Sequence, residues 1–283
     1  MKKILVPTDF TPTSENAIET ARMLAKKNDA EIIFLNVIEL NSGDVINASG
    51  GPSSYSTFAD GVLIQESIKR SEEEMSRLVD VSKYQGINAS FEIKLGNPFG
   101  HIFTSIEDNG IDFIVMGTKG ASGLSEILIG SNTEKVVRKA KCPVLAIKES
   151  LNENSFNSIV YATNFGTNEA GVVDAIKNIQ SAFNSKVYLV WINTPNNFKS
   201  DATNRPLLDK FVAEHGLENT TTHVYSDIIA EDGIRNFAEY VDAGLIVMGT
   251  NSYTGLSRLI RGSIAEDMIN HAARPVLTVS MKE

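Results

Sequence analysis

Two short stretches carry the residue types and spacing that binding a small anion would require. In the first, Pro7-Thr8-Asp9-Phe10 follows the apolar run Ile4-Leu5-Val6. In the second, Met116-Gly117-Thr118-Lys119-Gly120 is followed, after an interval of nine residues, by Gly130-Ser131-Asn132-Thr133. Gly117 and Gly120 lack a Cβ and let backbone amides approach an anion closely. Gly130 and Ser131 bring a helix N-terminus, with its unpaired N–H groups and partial positive charge, to the same place. Ser131 and Thr133 add hydroxyl donors, and Lys119 adds a flexible point charge. The pattern predicts a phosphate site. Asp9 would repel a phosphate, so its expected partners are a ribose hydroxyl, an adenine amino group or a magnesium ion shared with the phosphates. Ser131 has a second explanation, because Ser131-x-x-Glu134 is also a capping box, and the same box recurs at Ser263 and Glu266.

That recurrence is part of an internal repeat. Gly117 to Lys148 aligns without a gap on Gly249 to Ser280, an offset of 132, with 12 of 32 positions identical. Ile4 to Phe10 aligns on Ile159 to Phe165 at an offset of 155, so the second half lacks about 23 residues in between. The deficit is assigned to the Gly- and Ser-rich stretch from Leu40 to Gly61, which has loop composition. The halves differ in one direction at the proposed site: Asp9 becomes Asn164, Lys119 becomes Asn251, Gly120 becomes Ser252 and Thr133 becomes Ala265. The second half loses a carboxylate, a cation, a bare backbone position and a hydroxyl. Nucleotide binding is therefore expected in the first half, with the second kept for pairing or regulation.

The elements that must position these residues alternate. Lys3 to Pro7, Glu31 to Ile38, Ala89 to Leu95, Asp112 to Gly117 and Pro143 to Ile147 read as strands, short, rich in Val, Ile and Phe, and bounded by turn residues. Helical patterns lie between them at about Ser14 to Asn28, Gly61 to Gln85, Pro98 to Asn109 and Asn132 to Ala140. Alternation of this kind predicts an open, mostly parallel sheet with helices on both faces, a doubly wound α/β unit in each half. Ligands of such sheets bind beyond the carboxyl ends of the strands where the strand order reverses, which singles out the loops after strands 1 and 4. The units are placed at 1–149 and 157–283, joined by the polar stretch Glu149 to Asn157.

Composition narrows the function. With 26 Lys+Arg against 35 Asp+Glu the net charge is -9, which disfavours sequence-independent nucleic-acid binding and anionic membranes. An anion must therefore be held by local amides. Cys142 is the only cysteine, so no intrachain disulfide exists, and it reads as a small buried hydrophobe beside Pro143. The apolar start is broken at Pro7, and no apolar run approaches the roughly 18 residues of a membrane span, so a cytoplasmic location is expected. His101, His215, His223 and His271 show no metal-ligand spacing. Trp191 is expected in or beside the core of the second half.

The Gly117-x2-Gly120-x9-Gly130-Ser131 spacing, with Pro7-Thr8-Asp9 after strand 1, resembles the ATP-binding branch of the universal stress protein family, and the whole chain resembles its tandem form. The resemblance implies two Rossmann-like (HUP-type) domains, each a five-stranded parallel sheet of order 3-2-1-4-5. It further implies ATP, or AMP or ADP, with ribose and phosphates on Gly117, Lys119, Gly120, Gly130, Ser131 and Thr133. Met116 and Asn132 flank these positions. Adenine would lie against Pro7, Thr8, Asp9 and the backbone of Val37, and Asp9 is the candidate magnesium ligand. Family members pair through the last strand, so Val144 to Ile147 and Val276 to Val279 would join the halves as a pseudo-dimer, with pairing of whole chains as a second level. The expected function is a stress-response binding and regulatory protein. No residue stands out as a base for water, so any ATP hydrolysis is expected to be slow. The rival readings are a slow ATP-hydrolysing or adenylating enzyme and a nucleotide-free dimerisation scaffold.

Overall fold

The computed structural model describes residues 1–39, 56–118, 130–165, 169–250 and 264–281. In the first half, strands β1 (Lys3–Pro7), β2 (Glu31–Ile38), β3 (Ala89–Leu95), β4 (Phe113–Gly117) and β5 (Val144–Ile147) alternate with helices α1 (Pro12–Asn28), α2 (Ser56–Tyr84), α3 (Pro98–Asn109) and α4 (Ser131–Lys139). The second half repeats the series with β6 (Ser158–Ala162), β7 (Lys186–Asn193), β8 (Thr220–Ser226), β9 (Leu245–Thr250) and β10 (Val276–Ser280). Its helices are α5 (Ala170–Phe183), α6 (Asp201–His215), α7 (Ala230–Tyr240) and α8 (Ile264–His271).

Each half has the strand order expected of it, but the two sheets are continuous. The strands form one ten-stranded sheet in the order β3-β2-β1-β4-β5-β10-β9-β6-β7-β8. The pairs within a half are parallel, and β5 meets β10 antiparallel, with Leu145 opposite Leu277. Antiparallel pairing at this point follows from joining two copies by the same edge, since a two-fold relation reverses strand direction.

The apolar runs are explained by burial on both faces. Ile4, Leu5 and Val6 are all fully buried. Alternate residues feed two layers: Ile4, Val6, Phe34, Val115 and Leu145 pack beneath α1 and α2, whereas Leu5, Ile33, Leu35, Ile114 and Met116 pack beneath α3 and α4. Both layers run on into the second half, where Leu277 and Val279 join the first and Met268 and Ile269 the second. Helix α1 is capped by Thr11 and opened by Pro12, and it lays Ala17, Ala21 and Leu24 on the sheet. Because α1 and α2 cover one face and α3 and α4 the other, β1 and β4 flank the switch point.

Two stretches differ most from the sequence reading. Helix α2 starts at Ser56, so residues read as loop up to Gly61 are helical, and α2 runs 29 residues where α6 has 15. Part of the 23-residue difference between the halves is therefore extra helix. The remainder of that proposed loop lies outside the described residues. The polar joint between halves is also more ordered than its composition suggested. It carries a short 3-10 turn, Glu153–Phe156, capped by Asn152. Phe156 is buried and stacks on Phe183 with ring centroids 4.6 Å apart.

Candidate functional site

The carboxyl ends of β1 and β4 bring the first proposed stretch and the start of the second together. Beyond Pro7 the chain continues its pairing for one residue, Thr8 N–H donating to the Leu35 carbonyl at 2.9 Å. It then turns sharply through Phe10, whose φ of 60° is unusual for a residue other than glycine. Side chains hold that turn. The Thr8 hydroxyl donates to Ser14 Oγ at 3.1 Å and accepts from Phe10 N–H at 3.1 Å. The Asn36 amide donates to the Thr8 carbonyl at 2.8 Å and accepts from Ser71 at 2.9 Å.

Asp9 stands at the exposed tip of this turn. The hydroxyl and amide of Thr11 donate to one of its oxygens at 2.6 and 3.1 Å. Partial burial would raise its carboxyl, but these bonds, with help from Ser14, outweigh burial and hold it below the ordinary aspartate range. Asp9 is a carboxylate at neutral pH.

Gly117 ends β4 directly against the first turn of α1. A Cβ there would lie 2.5 Å from the Thr13 carbonyl oxygen, so the fold itself requires glycine at this position. Gly130, the N-cap of α4, differs. Its φ of -58° suits any residue, no side chain caps the helix, and among the described residues a Cβ would meet nothing closer than Thr133 Oγ1 at 3.9 Å. Thr133 is buried and donates its hydroxyl to the Gly117 carbonyl at 3.1 Å. That proton ties α4 to the end of β4, so Thr133 positions the loop end, a role the sequence reading did not give it. The capping box read at Ser131 is not formed: Gly130, which has no side chain, is the N-cap, Ser131 opens the helix, and the Glu134 carboxylate pairs with Arg138 at 2.9 Å. Met116 is buried beneath α4, Val37 is half-buried at the end of β2, and Asn132 lies in the first turn of α4. Lys119 and Gly120, and the side chain of Ser131, lie outside the described residues.

The comparisons were decided by both halves. The universal stress protein family profile matches residues 1–148 and again 156–280. The chain belongs to the universal stress protein family. A universal stress protein of Methanocaldococcus jannaschii is 32% identical over 154 residues, covering 52% of this chain and 94% of its own. A second from the same organism is 33% identical over 153 residues, covering 54% of this chain and 85% of its own. The crystal structure of a universal stress protein from Archaeoglobus fulgidus shares the fold over 99% of this chain and 98% of its own, with a TM-score of 0.77 at 23% identity.

In this universal stress protein the second half keeps the turn and changes its chemistry. Phe165, the counterpart of Phe10, has φ 54°, and its N–H donates to Thr163 Oγ1 at 2.9 Å. In place of Ser14 stands Glu169, buried, whose carboxylate accepts from Thr163 at 2.8 and 2.9 Å and from the Tyr161 hydroxyl. Burial, and then the Glu169 charge, push the Tyr161 phenol well above its ordinary range. Gly249, the counterpart of Gly117, is covered by Met281: a Cβ there would lie 2.4 Å from Met281 Sδ. Ile192, the counterpart of Val37, packs on Gly233 in the first turn of α7. Trp191 is buried in β7 as expected, stacked on Phe165 at 5.2 Å. Ser14, Glu169 and Tyr161 were not picked out from the sequence. Aligning the halves at the 155 offset finds the Ser14 to Glu169 exchange, but only the fold shows that the carboxylate is buried and partnered.

Among the described residues no His, Cys, Asp and Glu cluster could hold a metal by itself. No helix among them is long and apolar enough to cross a membrane. Cys142 is buried, and burial pushes its thiol up to about 12.

Proposed function

We propose that this universal stress protein is a cytoplasmic regulatory protein that binds an adenine nucleotide in its first unit, 1–149, and uses its second unit, 157–283, as a pseudo-dimeric partner. The phosphates rest on Gly117, Lys119, Gly120, Gly130, Ser131 and Asn132. Thr133 secures the Gly117 carbonyl, and Pro7, Thr8, Asp9, Val37 and Met116 border the nucleoside. The observation that carries this reading is Gly130. Nothing in the described chain demands a glycine at that helix start, whereas an anion approaching the first-turn amides of α4 does. Asp9 fits magnesium in the usual manner of that ion, a single charged carboxylate completed by phosphate oxygens and water. When bound, magnesium would screen the phosphates from Asp9.

The second unit supports a different role. Asn164 replaces the carboxylate, and Glu169 adds a buried negative charge beside the turn. Both changes disfavour a nucleotide there.

The test is mass spectrometry of small molecules released from freshly purified protein, followed by thermal denaturation with ATP and magnesium. At a ligand concentration one hundred times Kd the stabilisation is about 2.7 kcal/mol, a shift of several degrees for a domain of this size. Absence of both co-purified nucleotide and any shift would refute the reading. Phosphate release faster than roughly one per second would favour an enzyme instead.

A further inference from the structure

Thr118, at the start of the proposed phosphate site, is connected to the second half through Ile147 and Lys148. Thr118, the first residue past β4, donates both its N–H and its hydroxyl to the Ile147 carbonyl, at 2.7 and 3.2 Å. Ile147 is the last residue of β5. The next residue, Lys148, leaves the sheet, and its ammonium donates to the carbonyls of Asn270 and Ala272 at 3.0 and 2.7 Å. Asn270 lies in the last turn of α8 and Ala272 is the residue just past its end, where helix carbonyls lack partners within the helix and the helix dipole is negative.

We propose that Lys148 is a positioning residue that couples the placement of Thr118, and with it nucleotide occupancy of the first half, to the end of helix α8 of the second. The occupancy part rests on the function proposed above. Lys148 is held from the first half on its backbone as well, because the Asn16 amide of α1 donates to its carbonyl at 3.1 Å. Among the described residues no carboxylate pairs with its ammonium, and burial lowers its pKa from the usual lysine value. A cavity of 440 Å³, bordered by Lys148, Ser150, Asn152, Asp242 and Arg274, leaves the ammonium room to change partners. The tie runs one way. The counterpart of Lys148 is Ser280, whose buried hydroxyl has no partner among the described residues. Movement of Thr118 is thus passed through Ile147 to Lys148 and on to the end of α8, while among the described residues no equivalent link returns from the second half.

Hydrogen exchange read by mass spectrometry on the full chain tests this, using wild type, Lys148→Met, Thr118→Val and the double variant, each with and without ATP and magnesium. In wild type, nucleotide should slow exchange of amides 268–272 by about fivefold or more, the low end of ordinary coupling. In Lys148→Met, nucleotide should still bind, seen as a thermal shift, but the slowing should vanish. Without nucleotide, Thr118→Val should alter exchange at 268–272 in wild type and leave it unchanged in Lys148→Met. Persistence of the slowing in Lys148→Met would assign transmission to the apolar core shared by α4 and α8 and overturn the proposal. Bound nucleotide with no response at 268–272 in wild type would also overturn it. Absence of any thermal shift would refute the nucleotide reading alone, and the Thr118→Val comparison would then decide the coupling: additive effects of the two substitutions would overturn it.

Discussion

Leu145 and Leu277 are counterparts in the two halves, and they pair with each other where β5 meets β10. Both are fully buried and belong to one apolar layer. The two-fold relation between the halves therefore passes between them, and the junction is core rather than an interface between finished domains.

The halves should accordingly unfold together. Replacing Leu145 with Ala is expected to cost about 2–5 kcal/mol, the range for a buried leucine. The measurement is urea denaturation followed by Trp191 fluorescence and by far-ultraviolet circular dichroism. Trp191 lies in β7, in the half that does not contain Leu145. Its midpoint should nonetheless fall with the dichroism midpoint. A fluorescence midpoint unmoved by Leu145→Ala would mean that the halves fold independently.

Gly117 and Gly130 should separate fold from ligand. Gly117→Ala forces a Cβ to within 2.5 Å of the Thr13 carbonyl, so a loss of about 1–3 kcal/mol is expected, typical of overpacking. Gly130→Ala should change stability by no more than about 1 kcal/mol, the usual difference at an N-cap. It should weaken ATP by at least about tenfold, or 1.4 kcal/mol. Isothermal titration alongside urea denaturation measures both quantities. Unchanged ATP affinity in Gly130→Ala would remove the main support for the phosphate site.

Strands β1 and β2 were legible because both faces of the sheet are buried there: they begin and end where their apolar runs do, at Lys3–Pro7 and Glu31–Ile38. Helix ends were legible where a cap marked them, as at Asn97 and Gly110 around α3. The start of α2 was not, because Ser56, Thr57, Asp60 and Gly61 carry weak helix preference and tertiary context decided the matter. At the site, residue types marked the loops after β1 and β4 but not where each proton goes. Thr133 looked like a phosphate donor by type, yet its hydroxyl serves the Gly117 carbonyl. Lys148 was not picked out from the sequence, since its acceptors lie more than a hundred residues away and become neighbours only once β5 pairs with β10.

Asp9 carries a pH prediction. Its folded pKa is depressed from the ordinary 3.8 by donation from Thr11, against burial. A depressed acid contributes stability above its unfolded pKa and loses it as pH falls through the folded value. The contribution should therefore be complete at neutral pH and vanish only below about pH 4. Carboxyl resonances followed by nuclear magnetic resonance should show Asp9 titrating below the ordinary aspartate value of 3.8. Thr11→Val should move its midpoint upward. A midpoint that ignores Thr11→Val would show that these bonds do not hold the charge.

Tyr161 carries the opposite one. Its phenol donates to Glu169 in a buried setting, and burial together with that carboxylate raises its pKa in the folded chain. Above an unfolded value of about 10 the denatured chain releases this proton while the folded chain keeps it, so stability must decline as pH rises beyond about 10. Tyr161→Phe removes the titrating group and should flatten the alkaline limb of a plot of stability against pH. At pH 7 the same substitution leaves Glu169 with only its remaining donors, at an expected cost of about 1–3 kcal/mol. Glu169→Ser restores at this position the residue type found at Ser14, and should remove the charge contribution to the tyrosine shift while leaving Thr163 an acceptor. If the alkaline limb of Tyr161→Phe were as steep as that of the wild type, the loss of stability would belong to other groups, and the buried pair would be a packing feature alone.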